Sequence, residues 1–144
     1  MTHSDKGHFA AKHAPGQRPD EKIAALVRLK VEERKLPCAD AERIGAELGA
    51  TMAEVGRTLD LLEVRFSRCQ LGLFGYVQTG KIVRPEEKFI PELEKAIRGR
   101  LSDGRLPCAD AWKIAAEMNV PRLKVSSACE TLKIRIKPCQ LGAF

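Results

Sequence analysis

The sequence has no long apolar run. No stretch approaches the about 20 consecutive apolar residues that a helix needs to span a bilayer. Residues 1–19 also lack the apolar core of a signal peptide. These two absences predict a cytoplasmic protein without a membrane partner.

Residues suited to catalysis are scarce as well. All three histidines, His3, His8 and His13, lie in the polar first 18 residues, so the rest of the chain offers no histidine base. There is no glycine-rich phosphate loop and no serine-centred nucleophile motif. We therefore expect no enzymatic activity, no catalytic residue and no cofactor.

The feature that organises the chain is a duplication. Leu36-Pro-Cys-Ala-Asp-Ala41 returns 70 positions later as Leu106–Ala111, and Cys69-Gln-Leu-Gly72 returns as Cys139–Gly142. Residues 36–74 laid on residues 106–144 without a gap give 17 identities in 39 positions. Such internal repetition indicates two copies of one fold.

Each copy has the pattern helix, helix, turn, helix, strand. Ile23, Val27 and Val31 have the spacing of an apolar helix face, which predicts a first helix over about 20–34. A break at 35–37 precedes a second helix that ends at Gly49, or at Asn119 in the second copy, since these residues suit a left-handed turn. Third helices are predicted to begin at Thr51 and at Pro121.

The stretch from Ala41 to Val55 resembles the helix-turn-helix of winged-helix transcriptional regulators. Gly45 stands where two helices would cross, Gly49 stands in the turn and Val55 would anchor the third helix. The second copy repeats the pattern. The resemblance implies a mainly α protein with short β strands, built from two tandem winged helix-turn-helix-like repeats.

The predicted organisation has four parts. Residues 1–18 form a flexible tail, 19–75 the first repeat, 76–84 a wing or linker, and 85–144 the second repeat. Alternating residues at 64–67 and 134–137 predict a strand after each third helix. The segment 75–83 is a candidate hairpin wing that turns at Thr79-Gly80, and the strand of the second copy is expected to pair with the first repeat or with a partner chain.

The resemblance also implies DNA binding, with the third helix in the major groove and basic residues on the phosphates. Residues 76–144 carry 13 basic and 8 acidic side chains, whereas residues 19–75 carry 9 and 10, so we expect the second repeat to bind DNA better. The candidate DNA-binding residues are Arg122, Lys124, Ser126, Ser127, Lys133, Arg135 and Lys137 in the second repeat, and Arg57, Arg65 and Arg68 in the first.

The cysteines allow another interpretation. Five cysteines without an export signal favour reduced thiols, and Cys129 stands at a position that is apolar in both copies. The matched pairs Cys38 and Cys69, and Cys108 and Cys139, could hold zinc or an iron-sulfur cluster, although no two cysteines have the CxxC spacing. The alternative is a structural role, in which Cys38 and Cys108 fill the space between helix and strand.

Three hypotheses about function follow. The first is a DNA-binding transcriptional regulator or accessory factor. The second is an adaptor that docks a protein partner, or a second copy of the chain, through the same fold. The third is a thiol-based metal or redox sensor.

Overall fold

The computed structural model of the protein describes residues 8–76 and 80–144. The chain folds into two compact units. Unit 1 combines the chain up to Cys69 with the terminal segment Gln140–Phe144, and unit 2 is the continuous stretch Gln70–Cys139. The units therefore follow the two repeats except at their ends, where each unit contains the Gln-Leu-Gly segment of the other repeat.

Unit 1 is mainly helical, with one small parallel sheet. In chain order its elements are a 3-10 helix at Phe9–Lys12, α1 at Glu21–Lys30, β1 at Lys35–Pro37, α2 at Cys38–Leu48, α3 at Met52–Leu61 and β2 at Arg65–Ser67. The two strands pair in parallel, with Leu36 opposite Phe66. Both of these side chains are buried, so the sheet closes one side of the helical core.

Unit 2 repeats the three helices. They are α4 at Pro91–Arg98, α5 at Cys108–Met118 and α6 at Arg122–Leu132. A single parallel bridge between Leu106 and Ile136 replaces the sheet of unit 1. The strand of the second copy thus pairs within its own unit. The expectation that it pairs with the first repeat or with another chain is wrong, because Leu106 lies beside it and is fully buried there.

The ends of the helices follow the sequence signals closely. Gly49 and Asn119 close α2 and α5 in the left-handed conformation, with φ of 66° and 54°. Thr51 caps α3 through a capping box with Glu54, and Pro121 is the N-cap of α6. These predictions are confirmed.

The first helix is shorter than predicted, ending at Lys30. Glu32 and Lys35 then exchange two backbone hydrogen bonds of 3.0 and 2.8 Å around Glu33 and Arg34, which both have positive φ. Two-residue hairpins of the type I′ class require this backbone conformation. Residues 35–37, which were predicted to separate the first two helices, do separate them, and they form the strand β1.

The second copy has the same tight turn. Ser102 and Arg105 exchange backbone hydrogen bonds of 2.7 and 3.0 Å around Asp103 and Gly104. Asp-Gly is a favoured sequence for this turn because both residues tolerate positive φ. The two units therefore share a tight hairpin immediately before their parallel pairing.

The candidate wing is described only in part. Tyr76 and Gly80 exchange backbone hydrogen bonds of 3.3 and 2.9 Å, while Thr79, where the hairpin was predicted to turn, lies outside the described residues. Beyond it, the backbone N–H groups of Ile82 and Val83 donate to the Gly72 carbonyl. The strand β2 is not part of this hairpin, since its partner is β1.

The predicted flexible tail is described from residue 8 to residue 18, and residues 8–13 of it pack against the rest of unit 1. Phe9 is 4% exposed, and the backbone N–H groups of Phe9 and Ala10 donate to the two carboxylate oxygens of Glu63, each at 3.0 Å. Lys12 and His13 contact the Asp60 carboxylate at 3.1 and 2.8 Å. We call residues 8–13 the strap. Its polar composition predicts a flexible tail, but the burial of Phe9 and the contacts with the carboxylates of Glu63 and Asp60 fix the strap on unit 1.

The exchanged segments close each core. In unit 1, Leu141 is buried and its backbone lies directly against Gly56 of α3. In unit 2, Leu71 is buried and its carbonyl accepts a hydrogen bond of 2.7 Å from the Ser126 hydroxyl of α6. The repeated Cys-Gln-Leu-Gly string is thus a packing segment.

Within the described residues, no helix combines the length and apolar character needed to cross a membrane.

Candidate nucleic-acid interface

The N-terminal turn of α6 carries positive charge. Arg122 and Lys124 lie in it, no acidic side chain does, and the N-cap Pro121 supplies no side-chain acceptor. The N-terminus of a helix has partial positive charge and free N–H groups, so two cations there are unfavourable without an anion. A phosphate group would relieve this repulsion.

Both cations already have contacts within unit 2. The Arg122 guanidinium lies 3.7 Å from the centre of the Trp112 ring, close enough for a stacked cation–π interaction. Lys124 lies 3.6 Å from the Glu86 carboxylate, a long and half-exposed ion pair that contributes little. Trp112 therefore packs inside its own unit and orients Arg122.

The rest of α6 is less accessible than a helix that enters a major groove would be. The Thr131 hydroxyl donates to the Glu86 carbonyl at 2.7 Å, and Lys81 pairs with Glu130 at 2.8 Å. Lys81 in the candidate wing and Glu86 beyond it thus contact the C-terminal half of α6.

The two candidate serines differ in position. Ser126 is fully buried, and its hydroxyl donates to the Leu71 carbonyl, so it cannot contact a ligand. Its inclusion among the DNA-binding residues is wrong, because the exchanged segment covers this face of α6. Ser127 is half-buried.

Three exposed cations of unit 2 lie at the parallel bridge. Leu106 donates to the Arg135 carbonyl and accepts from the Lys137 N–H, both at 2.9 Å. Since Leu106 and Ile136 point into the core, Arg105, Arg135 and Lys137 point outward on the opposite face. Arg135 and Lys137 stand two residues apart, about 7 Å along an extended strand.

Lys133 completes this group at the C-terminal end of α6, where it has a left-handed conformation and an exposed side chain. We call Arg105, Lys133, Arg135 and Lys137 the basic strip. Among the described residues, no acidic group lies within ion-pair distance of any of the four. The strip therefore presents four uncompensated positive charges.

Sequence reasoning missed Arg105, which precedes the other strip residues by about thirty positions. The duplication contained the signal, because Arg105 aligns with Lys35 and both follow the two-residue turn. Only the pairing of the two strands shows that this position lies beside residue 135.

Unit 1 arranges the same positions differently. Lys35 lies opposite Arg65 in the sheet, but Glu63 and Ser67 replace Lys133 and Lys137. At the N-terminus of α3, the Glu54 carboxylate accepts from the Thr51 N–H and the Thr51 hydroxyl accepts from the Glu54 N–H, so two N–H groups already have acceptors. The other two candidates of this repeat, Arg57 and Arg68, are exposed.

The total charges agree with this local difference. The stretch 70–139 has 13 basic and 8 acidic residues, whereas the remainder of the chain has 12 and 11. Unit 2 therefore carries a net charge of +5, whereas the remainder of the chain carries +1.

The cysteines give no support to a metal centre. Cys38, Cys69, Cys108 and Cys129 are buried and Cys139 is half-buried. The described residues include no group of three or more histidine, cysteine or acidic side chains placed to hold a metal ion. Burial raises the pKa of Cys129 to about 12, which keeps this thiol protonated at neutral pH.

Comparisons of the chain with models of protein families, with curated proteins and with solved structures found no match. The candidate interface therefore rests on the geometry and charge of the two units.

Proposed function

We propose that the protein binds DNA, as a regulator or accessory factor, and that unit 2 makes the principal contacts. The observation that carries the proposal is the basic strip, whose four exposed cations have no acidic partner in the described chain. Contacts from lysine and arginine to phosphates supply most of the affinity of non-specific DNA binding.

The two tandem winged helix-turn-helix-like repeats are part of this proposal. In each unit a left-handed residue joins the second and third helices, and a parallel strand pairing follows. In unit 2 the first turn of α6 adds Arg122, which the Trp112 ring holds in one orientation. An ordered guanidinium loses less entropy when it binds a phosphate or a base edge.

The proposed mode of binding differs from full insertion of a recognition helix. Lys81 and Glu86 contact the C-terminal half of α6 at Glu130 and Thr131, so we assign α6 a contact through its first turn. The strip binds the backbone beside it. Binding of this kind is dominated by phosphate contacts, and only Arg122 is placed to read sequence.

The experiment is a titration of a labelled DNA duplex at several salt concentrations. The double variant Arg105→Gln with Arg135→Gln removes two charges of the strip. Its matched control, Lys35→Gln with Arg65→Gln, changes the corresponding pair in unit 1. Loss of two phosphate contacts reduces the slope of log affinity against log salt by about 1.8.

We expect the strip variant to lose most of its affinity for DNA at low salt and the control variant to retain most of its affinity for DNA. Equal losses in both variants would refute the assignment to unit 2. No binding of the unmodified protein at low salt would refute DNA binding and favour the adaptor, whose apolar contacts are insensitive to salt.

A further inference from the structure

Unit 1 contains a cleft that the proposed DNA contact does not use. Its volume is about 370 Å³, within the range of small-ligand sites. Six residues from the strap, the two-residue turn, the end of α3 and β2 line it: Phe9, Glu33, Arg34, Lys35, Glu63 and Arg65.

The carboxylate of Glu63 has a structural role in this cleft. Its two oxygens accept the N–H groups of Phe9 and Ala10, each at 3.0 Å. These hydrogen bonds, with the nearby charge of Arg34, hold the pKa of Glu63 below its usual value. Glu63 therefore fixes the strap as one wall of the cleft.

The three cations of the cleft are held side by side by the backbone. Lys35 lies opposite Arg65 in the sheet, and the Arg65 N–H donates to the Arg34 carbonyl at 2.8 Å. No acidic group among residues 8–76 and 80–144 is within ion-pair distance of any of these side chains. Glu33, the other acidic residue of the lining, is exposed.

These observations point to an anionic ligand. Two guanidinium groups provide planar pairs of N–H donors, which match the oxygens of a phosphate, and the ammonium group adds a third charge. We propose that unit 1 binds a small phosphorylated molecule in this cleft, with its phosphate between Arg34, Lys35 and Arg65. The proposal does not depend on DNA binding by unit 2.

The test uses the full chain and inorganic pyrophosphate as the probe, with sodium chloride of equal ionic strength as the reference. Calorimetry gives the affinity, and the amide NMR signals of Phe9 and Ala10 report on the wall of the cleft. Arg65→Gln removes one guanidinium, and its matched control, Arg28→Gln, makes the same change at an exposed arginine of α1 that does not line the cleft.

A second variant separates binding from folding. Arg34 has φ of +62°, and the equivalent residue of the second repeat is Gly104. Glycine adopts this conformation without strain, so Arg34→Gly removes the charge and leaves the hairpin intact. Its melting temperature should stay within a few degrees of the original.

We expect Arg65→Gln and Arg34→Gly each to weaken pyrophosphate binding about tenfold, the effect of losing one charge-assisted contact. Arg28→Gln should leave the affinity unchanged. Equal weakening by Arg28→Gln, or no response of the Phe9 and Ala10 signals, would overturn the proposal. So would an equal loss of DNA affinity in Arg65→Gln, since the cleft would then belong to a DNA-binding surface.

Discussion

The two units use the same three helices, but they hold the exchanged segment by different means. In unit 1 the third helix has Gly56 at the point of contact, and the backbone of Leu141 lies where a side chain would begin. In unit 2 the equivalent residue is Ser126, whose hydroxyl donates to the Leu71 carbonyl at 2.7 Å. One repeat thus excludes any side chain and the other uses a short polar one.

This difference shows that two copies of a duplicated sequence can keep the same fold while different side chains make equivalent contacts. Unit 1 caps its third helix with Thr51 and Glu54, and it places acidic Glu63 where unit 2 has Lys133. Unit 2 leaves the same surfaces basic. The shared backbone makes each unit a natural control for the other.

The largest expected effect is on stability. A Cβ at position 56 would overlap the Leu141 carbonyl, so Gly56→Ala should lower the free energy of unfolding by about 2–3 kcal/mol. Ser126→Ala removes only one hydrogen bond and should cost about 1–2 kcal/mol. Urea denaturation followed by circular dichroism measures both. A neutral Gly56→Ala would show that the terminal segment does not hold unit 1 together.

The next effect is local and depends on pH. The pKa of Glu63 is lowered, mainly by the hydrogen bonds from Ala10 and Phe9. A lowered pKa means that Glu63 stabilises the docked strap fully above its ordinary value near 4.5, and that this contribution is lost as the pH falls through the lowered pKa. The protection of the Phe9 and Ala10 amides, which is the exchange rate of an unfolded chain at the same pH divided by the rate in the protein, should therefore fall in acid.

Glu63→Gln should give faster exchange already at neutral pH, and the difference from the unmodified protein should shrink in acid. The matched control is Lys133→Gln, at the equivalent position of unit 2, which should leave the exchange of both amides unchanged. A protection of these two amides in the unmodified protein that does not change between neutral pH and pH 3 would contradict the role assigned to Glu63.

The smallest effect concerns the thiols. With a pKa of about 12, Cys129 is about one part in ten thousand thiolate at pH 8, and it is 1% exposed. Cys139 is half-buried and should react first with a thiol reagent under native conditions. Peptide mass spectrometry after timed alkylation measures the order. Rapid labelling of Cys129 would show that α6 unfolds locally often enough to expose this thiol, and it would favour the hypothesis of a thiol-based sensor.

Much of the local structure could be predicted from the sequence, because the signals are local. Gly49 and Asn119 mark the left-handed helix ends, and Val55 and Val125 lie fully buried on the third helices as their spacing predicts. The predicted first helix is longer than the observed one. The apolar spacing continues to Val31, but the tight turn at Glu33 and Arg34 follows directly, and the helix ends at Lys30.

The features that involve distant residues could not be predicted in the same way. Leu71 and Leu141 belong to identical strings, so the sequence carries no information about which repeat each one packs against. The strap escaped prediction because its partners, Glu63 and Asp60, lie about fifty residues away.

For the candidate interface, the sequence supplied the charges and the structure supplied their grouping. In the sequence, Lys133, Arg135 and Lys137 are recognisable as basic residues of the second repeat. Strand pairing places Arg105 beside them, and burial excludes Ser126 from the candidate residues. Side-chain burial and strand register arise from tertiary contacts, which a local pattern does not contain.

The exchange of terminal segments has a consequence for the length of the loops that folding must close. Unit 2 is one continuous stretch of chain, whereas unit 1 joins the chain up to Cys69 to residues 140–144. The contact between Gly56 and Leu141 closes a loop of 85 residues, and the entropy lost on closing a loop grows with its length. We therefore expect the local contacts of unit 1 to form before Leu141 packs against Gly56.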